Sequence, residues 1–318
     1  MVYWQKYKTM TVKGWIQLIC LLFVIITFSA CSNSVDDLAN QAKRYKSPEK
    51  AVNALIDRIR ENDMQGLKSI LGPKSERLVN SGDEIADKVE REGFLEKYEK
   101  MIKLEKNGSD QVNLIVGEEE WSFPIPIFKG DGGWYFDVSA GLEEIMNRRI
   151  GRNELDVIGV MRAYVDAQRE YYAVDHDKDG IHEYAQKIFS DEGQKNGLFW
   201  PVKPGEELSP FGPLAAEAAM EGYNKNDGQP TPYHGYYYKV LRKQGKKPSG
   251  QEYNYVVNTN MILGFALVAY PAEHGNSGIM TFVVNHQDVV YEKDFGENTE
   301  QTVRAMEQYD PDETWKKN

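Results

Sequence analysis

Cysteine is almost absent: Cys20 and Cys31 are the only two in 318 residues. A disulfide-stapled scaffold is thereby excluded, since such scaffolds concentrate cysteines in short secreted chains. Positive charge is short too. Lys and Arg number 38 against 49 Asp and Glu, a formal net charge of −11. The basic footprint that neutralises phosphates is missing, which excludes nucleic acid as the main partner. The apolar run over residues 16–28 is broken by Gln17 and Thr27 and falls short of the roughly 20 residues of a comfortable membrane span. There is no internal repeat and no low-complexity tract. Enzyme signatures are also missing: no Gly-x-Ser-x-Gly, no phosphate loop, no dinucleotide fingerprint, and no second histidine to complete a zinc-protease helix around His182-Glu183. Ser47-Pro48-Glu49-Lys50 matches Ser-x-x-Lys, but a helix cap accounts for it fully.

What is present starts with an address. Residues 1–30 carry Lys6, Lys8 and Lys13 and no acid, then the apolar run, then Phe28-Ser29-Ala30-Cys31. A basic region, an apolar core and small residues before a cut form the secretory pattern. The ending resembles the bacterial lipobox, with Phe28 where that motif prefers Leu. The resemblance implies cleavage after Ala30, lipid on Cys31, and a lipid-anchored position at the bacterial cell envelope, facing away from the cytoplasm. The alternative is an ordinary signal peptide that leaves a free thiol. Removing residues 1–30 takes three lysines away and leaves 288 residues with a net charge of −14.

Residues 31–46 read as a polar tether, residues 47–146 as one α+β domain and residues 147–318 as a second. Ser47-Pro48-Glu49 is a helix start, and Ala51, Val52, Leu55, Ile56 and Ile59 make one apolar face. A second short helix carries Met64, Leu67, Ile70 and Leu71. A third is expected over residues 93–103, then strands over 112–116, 121–128 and 134–136, with a Gly130-Asp131-Gly132-Gly133 turn. Helices followed by antiparallel strands give an α+β order, which resembles NTF2-like and cystatin-like domains. Residues 142–152 hold Arg148, Arg149 and Arg152 beside Glu143 and Glu144. They read as a salt-bridged solvated linker, with an anion-binding arginine cluster as the alternative. A helix of about 20 residues capped by Asn153 should follow. A proline-rich stretch over residues 193–233 encloses a short helix at 215–223. Strands are then expected at 236–241, 253–258, 264–270, 279–285 and 289–293, with a closing helix over 299–309.

The sharpest local signal is Asp175-His176-Asp177-Lys178-Asp179-Gly180-Ile181-His182-Glu183. Calcium takes six to eight hard oxygens, and alternate acids on a tight loop converge on one point. Asp175, Asp177 and Asp179 are the candidate ligands, with the Ile181 carbonyl and Glu183 completing the set. Gln186 stands where an EF-hand has its bidentate Glu. Water, Glu183 or a remote acid such as Asp191 or Glu192 must therefore supply the rest. A solvated acidic turn is the alternative, although three carboxylates so close repel without a counter-cation. His176 and His182 sit among hard ligands that suit calcium or magnesium better than zinc, and read as surface residues. His234, His274 and His286, with Asp288 and Asp294 near them in sequence, could form a His–Asp acid–base pair, but read as polar rim residues.

Several longer motifs carry a resemblance. Arg149-Ile150-Gly151-Arg152-Asn153-Glu154-Leu155, Gln168-x-Glu170-Tyr171, Asp177-x-Asp179-Gly180, Gly197-Leu198-Phe199-Trp200-Pro201 and Gly235-Tyr236-Tyr237 look like the DUF2950 family. So do Gly264-Phe265-Ala266-Leu267-Val268-Ala269-Tyr270-Pro271 and Met280-Thr281-Phe282-Val283-Val284-Asn285-His286. That family comprises exported bacterial proteins of unknown function, and the resemblance implies no activity. The second half, with a long helix, an Asp-x-Asp-Gly loop and a meander, resembles the heads of type IV pilins and pseudopilins. Some pseudopilins hold their sheet region with calcium. This chain lacks a pilin leader and has a whole domain ahead of the helix, so it should not polymerise as a pilin does. The function expected is a calcium-stabilised envelope lipoprotein that binds or scaffolds an unidentified envelope protein. An envelope hydrolase using His234, His274 and His286, or an accessory of a pilus or secretion apparatus, are the alternatives.

Overall fold

Ser47 opens the first helix, α1 (Pro48–Arg60): its hydroxyl accepts from the Lys50 amide at 3.4 Å and Pro48 presets the first turn. The computed structural model describes residues 42–203, 205–206, 208–220, 231–246 and 250–318. The leader, Cys31, residues 32–41 of the tether and Lys247-Pro248-Ser249 lie outside them. Helices α2 (Met64–Leu71), α3 (Glu76–Val79) and α4 (Glu84–Lys100) follow. Strands β1 (Ile102–Asn107), β2 (Gln111–Val116), β3 (Trp121–Ser122), β4 (Ile127–Gly130) and β5 (Gly133–Phe136) form an antiparallel sheet in the order β1-β2-β4-β5, with β3 beside β2. Alternation along β2 puts Val112, Leu114 and Val116 on one face, where they pack with Val52, Leu55 and Ile56 of α1. Each such side chain contributes roughly 1.5–3 kcal/mol on full burial.

Two local expectations shift here. The third helix starts at Glu84, capped by Asp83, and ends at Lys100. Residues from Ile102 onward are taken by β1, which pairs with β2 from Ile102↔Val116 to Asn107↔Gln111. The strand expected over residues 121–128 is two pieces, β3 and β4, because Pro124 and Pro126 have no N–H for a ladder.

The larger correction concerns residues 142–152. They are not a linker but the interior of one 35-residue helix, α5 (Val138–Tyr172). Its inward stripe runs Met146, Arg149, Ile150, Asn153, Val157, Met161, Tyr164, Gln168 and Tyr171, each three or four residues from another member. The stripe looks interrupted in sequence because Arg149 and Asn153 occupy two of its buried positions. Gly141 lets the helix approach the first sheet: a Cβ there would lie 2.5 Å from the Pro124 carbonyl oxygen.

Beyond α5 come α6 (Gly212–Met220), β6 (Tyr236–Leu241), β7 (Lys243–Gln244), β8 (Tyr253–Asn254), β9 (Val256–Val257) and β10 (Asn260–Met261). Strands β11 (Ala266–Pro271), β12 (Thr281–Asn285) and β13 (Tyr291–Lys293), helix α7 (Thr299–Ala305), and strands β14 (Gln308–Tyr309) and β15 (Lys316–Lys317) complete the chain. The main sheet is antiparallel in the order β15-β13-β12-β11-β6. Val157, Met161, Tyr164 and Val165 of α5 pack with Leu267, Phe282 and Val284 in the second core. The chain is thus α+β in both parts. No helix among the described residues is long and apolar enough to cross a membrane.

A buried polar seam joins the two cores. Arg149 Nη1 donates to the Arg77 carbonyl at 2.7 Å and to Asn276 Oδ1 at 2.9 Å, and Nη2 donates to the Leu78 carbonyl at 2.9 Å. Asp83 Oδ1 caps α4 through the Ala86 amide, while its Oδ2 accepts from the Gly235 amide at 3.0 Å. Asn153 Nδ2 donates to the Ser277 carbonyl at 2.8 Å, and Asn276 Nδ2 to the Asn80 carbonyl at 3.0 Å. Arg149 is therefore neither a linker charge nor part of an anion site; it fastens one half to the other.

Candidate functional site

Helix α5 ends at Tyr172 and delivers the chain straight into the acidic loop. Asp175 organises the turn. Its Oδ1 accepts from the Lys178 amide at 2.8 Å and its Oδ2 from the Gly180 amide at 3.0 Å. Lys178 and Gly180 have φ of 64° and 87°, the left-handed region that a tight loop needs and that glycine adopts without strain. Asp177 Oδ1 accepts from the Asp179 amide at 3.3 Å, and Asp179 Oδ1 from the Ile181 amide at 2.8 Å. One carboxylate oxygen from each of Asp175, Asp177 and Asp179 lies within 4.8 Å of the others. Two oxygens on opposite sides of a calcium ion at about 2.4 Å are roughly 5 Å apart, so this spread fits a single coordination sphere.

The loop is tied at both ends. The Gln168 amide, fully buried in α5, donates from Nε2 to the Ala185 carbonyl and accepts at Oε1 from the Ala185 amide, both at 2.8 Å. On the other side stands the β9–β10 hairpin. Asn260 Nδ2 donates to Asp179 Oδ2 at 3.0 Å, and the Met261 amide to Glu183 Oε2 at 3.3 Å. The Tyr184 amide donates to the Met261 carbonyl at 2.8 Å. Glu183 is thus held near the cluster, but its carboxylate is not among the converging oxygens. Burial pushes its carboxyl up, and the charges of Asp177, Asp179 and Asp175 add to that, against the Met261 N–H. The Asp175 carboxyl is held down, chiefly by the Gly180 and Lys178 amides. A carboxyl pushed up first by burial and then by three neighbouring like charges is an electrostatic arrangement that a nearby cation relieves.

The remaining sequence candidates distribute as follows. Gln186 turns away, donating from Nε2 to the Thr259 carbonyl at 2.5 Å. Asp191 pairs with Lys187 at 2.5 Å, and neither it nor Glu192 is among the converging oxygens. Ile181 is exposed, and its amide serves Asp179. His182 lies on the surface with Nδ1 2.8 Å from the Tyr172 carbonyl. His176 departs from expectation: its ring lies tilted 4.2 Å from Tyr171 and edge-to-face 5.3 Å from Trp200, with Nε2 buried and unpartnered, and burial pushes its pKa down. It is a half-buried, packed ring rather than a surface group.

The structure does not bring the three C-terminal histidines together. His234 Nδ1 lies 3.6 Å from Asp156, His274 Nε2 lies 2.9 Å from Asp294, and Asp288 lies 3.6 Å from Arg169. His286 packs against Tyr255 and Phe265 with Nδ1 buried and unpartnered, and burial pushes its pKa down. Among the described residues, the three aspartates are the group of three or more His, Cys, Asp or Glu with converging ligand atoms. Sequence reasoning missed Gln168 and Asn260. Asn258 and Thr259, with φ of 48° and 77°, mark the turn that presents Asn260, but nothing local ties that turn to a loop some eighty residues earlier.

A family model described as "Protein of unknown function (DUF2950)" matches residues 42–318. No curated protein and no solved structure matches the chain.

Proposed function

This chain belongs to the DUF2950 family, whose description names no activity, and from its own residues we propose that it is a lipid-anchored protein of the bacterial envelope, held in its working shape by calcium, that binds or scaffolds another envelope component. The observation that carries the calcium reading is the convergence of Asp175, Asp177 and Asp179 in a loop whose turn is already formed by their own amide contacts. Asp175, Asp177 and Asp179 would supply charged oxygens, Glu183 a further carboxylate and Ile181 a carbonyl, with water filling the remaining positions. Such an ion supplies charge and rigidity and no redox chemistry. It would clamp the end of α5 to the β9–β10 hairpin through ligands that Asn260 and Met261 already hold.

The anchor reading is supported by the basic, apolar and small-residue succession that ends at Cys31. A binding rather than catalytic role is favoured by the histidines, each of which meets a different partner. The likeness of the second half to pilin heads belongs to the same proposal and rests on the succession of long helix, acidic loop and antiparallel sheet.

Calorimetric titration of the mature chain with calcium tests the metal. One site should appear, with Kd on the order of 10⁻⁴–10⁻³ M as in extracellular calcium modules, and Asp177→Ala should abolish it. No heat with the wild type, or an unchanged isotherm in the variant, removes the calcium half of the proposal. Metabolic labelling with a fatty-acid probe tests the anchor: the wild type should be marked and Cys31→Ala should not. Equal labelling of both would show that Cys31 carries no lipid.

A further inference from the structure

The first sheet has a second face. Alternation along β2 sends Val112, Leu114 and Val116 to the core and Gln111 and Asn113 to the opposite side. Pairing brings Phe128 beside Gln111 and Ser122 beside Ile115 on that same side. The first turns of α5 form a wall, with Ala140, Glu144 and Arg148 at four-residue spacing. Between wall and sheet lies a cavity of about 390 Å³, whose remaining lining includes Phe123, Pro124 and Pro126.

The chemistry of the lining selects a ligand class. Glu144 and Arg148 are paired at 2.6 Å, so the cavity carries no net charge and offers no excess counter-charge to a phosphate or polyanion. A purely apolar ligand would cover the Ser122 hydroxyl and the Asn113 Nδ2 hydrogens and give them no partner, which is unfavourable. Asn107, Gln111 and Asn113 form a row of carboxamides: Asn107 Nδ2 donates to Gln111 Oε1 at 3.1 Å, and Gln111 Nε2 to Asn113 Oδ1 at 3.2 Å. Among the described residues the Asn113 Nδ2 hydrogens meet no protein acceptor. A carboxamide donates and accepts at once, as does a sugar diol or an acetamido group. Phe128 and the prolines offer flat apolar surface for the C–H face of a pyranose ring. A peptide added as a strand would need a free sheet edge, whereas the row lies on a sheet face.

We propose that this groove binds an uncharged oligosaccharide. The proposal does not depend on the calcium loop or the lipid anchor, which lie elsewhere in the chain. The groove is open, its volume lies within the range of small-ligand sites, and its lining mixes polar and apolar groups about equally.

The test is calorimetric titration of the mature chain with a tetramer of N-acetylglucosamine, a tetramer of glucose and tetra-alanine. At least one sugar tetramer should bind, and tetra-alanine should not. Asn113→Ala and Arg148→Ala should each weaken sugar binding about tenfold with melting unchanged. Ser122→Ala, at an exposed site, should also weaken binding and serves if either of the others folds poorly. Failure of both sugars to bind, undiminished binding in all the variants that fold, or tetra-alanine binding as well as the sugars would overturn the proposal.

Discussion

Arg149 is 4% exposed and serves three acceptors, of which the bond to Asn276 is fully buried and those to the Arg77 and Leu78 carbonyls partly so. Burial works against its charge, while Glu90 and Asp87 favour it. Arg149→Ala should therefore cost about 3 kcal/mol in urea unfolding, since hydrogen bonds from a charged donor are worth more than neutral ones and their loss takes the partner from the Arg77 and Leu78 carbonyls and from Asn276 Oδ1. Arg149→Lys should recover less than half of that, because a single ammonium cannot span the positions that a planar fork reaches. If Arg149→Ala is neutral, the seam is not what joins the two cores. The aspartates were legible in the sequence and Arg149 was not, for a physical reason. Asp175, Asp177 and Asp179 act on one another through a local turn whose spacing is itself the signal. Arg149 is satisfied by carbonyls some seventy residues earlier and by Asn276, and an arginine among Glu143, Glu144 and Arg148 looks solvated until those partners are known. Gln168 and Asn260 were hidden in the same way.

Helix α5 spans 35 residues, roughly 52 Å at 1.5 Å per residue, and is shared by both cores. Gly151 and Gly159 lie within it, and a Cβ added at either meets no atom within 4 Å. Gly151→Ala and Gly159→Ala should thus each stabilise the protein by about 0.5–1 kcal/mol, read as a higher urea midpoint with an unchanged slope. No gain at Gly151 would mean that residues 142–152 are not helical in solution. Most other elements were readable from periodicity: α1 and α2 from apolar spacing, β6 and β11–β13 from β-branched and aromatic runs. What failed was continuity. The inward stripe of α5 carries Arg149 and Asn153 where an apolar residue is expected, so its pattern breaks where its packing does not. The strand pieces β3 and β4 were merged because Trp121, Phe123, Ile125 and Ile127 alternate well, and the ladder is broken only by the prolines between them.

At the scale of the molecule, two cores share one helix and a polar seam, and the acidic loop belongs to the second core. No disulfide is possible among the described residues, since both cysteines precede them. The junction between the end of α5 and the β9–β10 hairpin depends on short polar contacts around three like charges. Those charges repel one another in the native state without a cation, so the loop is the point where an ion would add most to the whole. A ligand that binds only the native state adds RT ln(1 + [L]/Kd), roughly 1.4–2.7 kcal/mol at the ten- to hundredfold excess that 10 mM calcium gives over a Kd on the order of 10⁻⁴–10⁻³ M. At about 2–4 °C per kcal/mol for chains of this size, that is a shift on the order of 5 °C. The most direct measurement is thermal unfolding of the mature chain in 10 mM calcium and in chelator, for the wild type and for Asp177→Ala. The wild type should melt about 5 °C higher in calcium, and the variant should melt at one temperature in both. Identical melting of the wild type in the two conditions, or a calcium shift that survives Asp177→Ala, would contradict a calcium site at Asp175, Asp177 and Asp179.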